Sequence, residues 1–90
     1  MKRKTVKIVN KLGLHARAAA KFVQVASGFQ AEINVYSGHR EVSGKSIMGI
    51  MMLAAEPGSL ITIVVEGSDE QDAFNALKDL IANKFYEEEN

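Results

Sequence analysis

The sequence predicts an α+β fold: an open-faced β-sandwich in which a four-stranded antiparallel sheet carries its helices on one face. Three observations predict it. QAEINVY alternates apolar and polar residues, and LITIVVE is dense in β-prone ones. Residues 16–27 and 68–85 instead repeat apolar side chains at helical spacing. The segments follow one another as β-α-β-β-α-β-α, in 90 residues with no linker, internal repeat or low-complexity run. That length favours a single domain, residues 1–90.

The elements follow in order. KTVKIV, residues 4–9, sets Val6 and Ile8 on one face between lysines, as a half-buried strand does. NKLG turns the chain. From Ala16 to Ser27, Ala19, Phe22, Val23 and Ala26 share a helical face, and Gly28 offers a stop. In QAEINVY, Ala31, Ile33 and Val35 point inward, and Glu32, Asn34 and Tyr36 outward. SGHR is a turn and REVS a short returning strand, so residues 31–43 read as a hairpin. A short helix begins at Ile47 with Ser46 as its N-cap. After EPGS, Ile61, Ile63 and Val65 share the inner face of the last strand, with Thr62 outward. The final helix takes Ser68 and Gln71 as a capping-box pair and Phe74, Leu77, Ile81 and Phe85 as its buried stripe. YEEEN reads as a frayed, solvated tail.

Composition limits the function. Lysine plus arginine and aspartate plus glutamate both number 11, so the basic excess of a general nucleic-acid binder is missing. No strand carries the aromatic residues of an RNA-binding signature, and a nucleic-acid partner is not expected. There is no cysteine, hence no disulfide, thiolate metal site or thiol nucleophile. That fits a cytoplasmic protein. The basic start lacks the apolar stretch of a signal peptide, and the longest apolar runs, IMGIMMLAA and LITIVV, are far short of a membrane span. The two histidines, His15 and His39, lie far apart without metal-ligand spacing, and no metal or cofactor is expected.

His15 opens the first helix, in LGLHARAAAKF. Histidine is a poor helix cap beside Ser, Thr, Asp or Asn, so helix stability alone does not account for it. The position suits anion chemistry. A helix's first turn offers unpaired N–H groups and partial positive charge, here from Ala16, Arg17 and Ala18. Arg17 adds a forked cation matched to phosphate, and small residues at Ala16, Ala18 and Ala19 leave the approach open. Gly13 permits a tight bend ahead of the helix. His39, in a hairpin turn, reads as solvated.

GKSIMGIM, residues 44–51, has a plainer explanation and a functional one. Ser46 suffices as a helix cap, and methionines are most often core. Alternatively Ile47, Met48 and Met51 form an adaptable docking patch beside a modifiable serine.

GLHAR at 13–17, GKSIMGIMMLAA at 44–55 and the element order together resemble the histidine-containing phosphocarrier (HPr) family over nearly the whole chain. The resemblance implies three helices on one face of the sheet. It implies that His15 accepts a phosphoryl group on Nδ1 from phosphorylated Enzyme I of the phosphoenolpyruvate-dependent phosphotransferase system. The group then passes to a downstream Enzyme IIA-type acceptor. The chain is thereby a relay rather than a stand-alone turnover enzyme, and is expected to be monomeric. Arg17 matches the family's phosphate-neutralising arginine. Ser46 matches its serine phosphorylated by HPr kinase/phosphorylase, and Ile47, Met48 and Met51 match its partner-docking surface. One residue departs: the family commonly reads His-Ala-Arg-Pro, and here Ala18 follows Arg17. Alanine keeps the helix but leaves the branch open between a sugar-transport carrier and a regulatory module of an incomplete or nitrogen-related system.

Overall fold

The computed structural model describes residues 1–53 and 56–86. Strands β1 (Lys2–Lys7), β2 (Glu32–Ser37), β3 (Arg40–Ser43) and β4 (Leu60–Glu66) form one sheet in the order β1-β4-β2-β3. All three neighbouring pairs are antiparallel. Helices α1 (Ala16–Ala26), α2 (Ile47–Met52) and α3 (Glu70–Ala82) cover one face, and a 3₁₀ turn (Lys84–Tyr86) follows α3.

β4 is central because every inward position can be buried: Ile61, Ile63 and Val65 sit in the core opposite Val6, Val35 and Ile33. Phe22 of α1 and Leu77 and Ile81 of α3 close over them. Each such large side chain contributes about 1.5–3 kcal/mol of burial. The outer face is polar along β2, as its alternation requires, and carries Leu60 and Val64 on β4. Thr5 and Thr62 share a hydroxyl bond of 2.8 Å there, and the Tyr36 hydroxyl donates to Glu41 at 2.9 Å.

Several boundaries differ from the sequence reading. β1 starts at Lys2 and ends before Ile8, whose N–H donates instead to the Ser59 carbonyl at 2.8 Å. As an edge strand it tolerates lysines at positions that would otherwise face the core. α1 ends at Ala26 with Ser27 as its C-cap, and Val23 is half-buried. α3 does not use Ser68 and Gln71 as a capping box: its N-cap is Asp69. The Asp69 carboxylate accepts the N–H groups of Gln30 and Ala31, both at 2.8 Å, tying the start of α3 to the end of the α1–β2 loop. Glu70 instead reaches back to the Gly67 N–H at 3.1 Å.

The stripe on α3 consists of Ala73, Leu77, Leu80 and Ile81, with Phe74 half-buried. Phe85 is buried but lies beyond the helix. Backbone φ turns positive at Lys84, Phe85 and Tyr86, swinging the Phe85 ring back into the core. Lys21 of α1 donates to the Phe85 carbonyl at 2.7 Å and secures that turn. Apart from Tyr86, the tail expected to fray lies outside the described residues, as do Ala54 and Ala55 of the GKSIMGIMMLAA segment.

Candidate functional site

The site is built from the turn that leaves β1. Asn10 is fully buried, and its Nδ2 donates to the Gly13 carbonyl at 2.7 Å. The Gly13 N–H returns to the Asn10 carbonyl at 3.3 Å, closing the turn. Gly13 has φ 68°, a left-handed conformation that glycine adopts without steric cost. Leu14 then anchors in the core, and His15 follows as the N-cap of α1.

His15 is extended, with φ −77° and ψ 177°, and half-exposed. Its carbonyl accepts the first helical bond, from the Ala19 N–H at 2.8 Å. Its side chain makes no capping bond to the helix. The N–H groups of Ala16, Arg17 and Ala18 therefore occupy the three first-turn positions that have no carbonyl to meet within the helix. Arg17 is exposed on this turn, as is Ala16. Ala18 and Ala19 turn inward and are buried. Their small size serves the packing of α1 on the sheet, and only Ala16 leaves the approach open.

α2 packs beside α1. Its N-cap is Ser46, whose Oγ accepts the Gly49 N–H at 3.0 Å. Gly49 is needed for close approach: a Cβ there would stand 3.0 Å from the Val42 Cβ of β3. Ile50 is the buried anchor of α2. Ile47 and Met51 are about two-fifths exposed, at 42% and 41%, and Met48 is 68% exposed. They form an apolar surface rather than a core stripe. Leu12 and Met52, which the sequence reading did not single out, are exposed as well. The Met52 carbonyl accepts from Arg40 at 2.7 Å, which fixes the end of α2. His39 is exposed at the hairpin tip, on a different element from His15.

Fold and site define a class: a small α+β protein with a histidine and an arginine at an uncapped helix N-terminus, beside a short apolar helix. Residues 2–83 match the family model described as the PTS HPr component phosphorylation site. The phosphocarrier protein HPr of Cupriavidus necator is 54% identical over 82 residues, covering 91% of this chain and 92% of the relative. That of Neisseria meningitidis serogroup A is 51% identical over 89 residues, covering 99% and 100%. The crystal structure of HPr-C-His from Thermoanaerobacter tengcongensis superposes with a TM-score of 0.94 at 50% identity, covering 99% of this chain and all of that one. The chain belongs to the HPr family of phosphocarriers of the phosphotransferase system. Among the described residues, no helix is long and apolar enough to cross a membrane.

Proposed function

We propose that His15 carries the phosphoryl group, taking it from phosphorylated Enzyme I and passing it to an Enzyme IIA-type acceptor. The observation that carries this reading is a histidine N-cap whose side chain does not cap, followed by an exposed arginine. In the step, the Nδ1 lone pair of His15 forms the new N–P bond. The donor's bond to phosphorus breaks, and the donor atom keeps its electron pair. Nε2 retains the ring proton. The phosphoryl oxygens come to rest against the N–H groups of Ala16, Arg17 and Ala18, where the helix dipole favours negative charge. The Arg17 guanidinium neutralises charge that develops during transfer. Ile47, Met48 and Met51 dock the donor and the acceptor in turn.

Ser46 is the regulatory site of this reading, modified by an HPr kinase/phosphorylase. Its support is its place beside the apolar surface of α2. A phosphate there adds about 1.5–2 negative charges next to a surface that must desolvate on docking. The reading includes a single domain acting as a monomeric relay. It holds for either branch left open by Ala18, sugar transport or regulation.

The test is phosphorylation from phosphoenolpyruvate through a cognate Enzyme I. The expected product is an acid-labile, base-stable phosphate on His15, absent from His15→Ala, whose circular dichroism stays that of the wild type. Labelling of His15→Ala at His39 would overturn the assignment.

A further inference from the structure

Asn10 is the one buried polar residue among those described. Burying an amide is unfavourable unless its hydrogen bonds are made. An apolar side chain could occupy the same space without that demand. The turn already has a main-chain bond from the Gly13 N–H to the Asn10 carbonyl. The Asn10 side chain adds a second, shorter bond to the same residue, on the Gly13 carbonyl. Together they fix both ends of the Gly13 backbone, two residues before His15.

On either side of this turn the chain is already held. Ile8 donates to Ser59 and accepts from Gly58 at 2.7 Å, and Leu14, Ala18 and Ala19 are packed in the core. The conformation that remains to be set is the left-handed bend at Gly13, which determines how the chain enters α1. We infer that Asn10 is a positioning residue for phosphoryl transfer: its amide locks the Asn10–Gly13 turn and so holds the His15 ring over the first turn of α1. This inference rests on the His15 reading above. Transfer needs the reacting atoms within a few tenths of an ångström of their productive arrangement, and a misplacement of about 1 Å costs on the order of 100-fold. Partial loosening of one turn is expected to cost about 10-fold.

The experiment measures transfer from phosphorylated Enzyme I to the full chain, comparing wild type with Asn10→Ala, Asn10→Asp and Gly13→Ala. Asn10→Asp keeps the volume of the side chain but sets a carboxylate against the Gly13 carbonyl. Gly13→Ala strains the same turn from its other end. The expected result is a kcat lower by about 10-fold in each folded variant, with KM for the acceptor within about twofold, because the docking surface on α2 is untouched. An unchanged kcat overturns the inference. So does a raised KM at constant kcat, which would make the turn part of the docking surface. Should the variants not fold, exchange of the Asn10 side-chain amide protons in the wild type decides: slow exchange supports the lock, and exchange at the rate of a solvated asparagine overturns it. Wild-type protein labelled elsewhere than His15 refutes the phosphoacceptor reading. Wild-type labelling on His15 with normal kinetics in the Asn10 variants refutes only the positioning role.

Discussion

Two helix N-termini in this molecule are finished in opposite ways. Both N-caps are extended, His15 at φ −77°, ψ 177° and Ser46 at φ −113°, ψ 113°. Ser46 turns its hydroxyl onto the Gly49 N–H and closes its own helix. The His15 side chain makes no such bond. α2, with six residues, needs its cap to hold together. α1, with eleven residues and four of them buried, can do without. On the function proposed above, helix stability is withheld where a phosphoryl group is to be bound and supplied where a partner docks.

Arg17 should give the largest effect on that difference short of removing His15. If it stabilises charge on the moving phosphoryl group, Arg17→Ala slows transfer in both directions by about 2–4 kcal/mol of transition-state stabilisation. Arg17→Lys recovers only part, since it keeps the charge and loses the fork. Stability should hardly change, because Arg17 is exposed. Stopped-flow transfer rates at wild-type speed in Arg17→Ala would refute the role.

The second prediction concerns the self-closed helix. Phosphorylated Ser46 should accept from Enzyme I more slowly than unmodified protein, and Ser46→Asp should show a smaller slowing in the same direction. Melting temperature should move by only a few degrees, since a helix N-terminus tolerates the added charge. Equal transfer rates with and without the phosphate would leave Ser46 as a cap alone.

A third helix start sharpens the comparison. At α3 the N-cap Asp69 spends its carboxylate on another loop. The Gln30 N–H, then that of Ala31, and the nearby Lys45 hold its carboxyl below the ordinary 3.8. Glu70, beside the amino group of Met1 and the Gly67 N–H, is likewise held below 4.5. A carboxyl depressed in the folded state contributes stability above its unfolded value and loses it as pH falls through the folded one. Urea midpoints should therefore decline below about pH 4. Asp69→Asn should lower the midpoint at neutral pH and flatten that decline, leaving the part due to Glu70. An acid limb identical to wild type would exclude Asp69 from it.

Where a periodicity carried the information, the sequence was readable. The alternation of Ile33 and Val35, the inner row of Ile61, Ile63 and Val65, and the cap at Ser46 stand where they were expected, and His15, expected at the N-cap or in the first turn, is the N-cap. The bonds of Asn10 and Asp69 leave no such trace. An asparagine in NKLG looks like any turn residue, and an aspartate in SDEQD like any acidic first turn. Asn10 bonds within its own turn, three residues on, whereas the partners of Asp69 are set by how the chain folds back and lie almost forty positions earlier. Phe85 fits the spacing of α3, but a left-handed turn rather than the helix buries it. The small residues after His15 were ambiguous for a related reason. Smallness suits an open approach and close packing alike, and Ala18 and Ala19 turned out to serve the second.

The smallest expected change, one of stability, tests the comparison most directly, by exchanging the two ends. His15→Ser gives α1 the cap it lacks. A serine hydroxyl accepting an N–H of Arg17 or Ala18 satisfies a donor left open within the helix. The gain should be about 1 kcal/mol, seen as a higher urea midpoint at constant slope. Phosphoryl acceptance should vanish in the same variant. Ser46→Ala runs the other way: it loses roughly 0.5–2 kcal/mol with the Gly49 bond and retains acceptance at His15. The signs matter more than the sizes. A protein in which His15→Ser is less stable than wild type has its histidine in place for the fold. One in which it is more stable, and silent, has given up helix stability to keep first-turn donors available for a phosphoryl group.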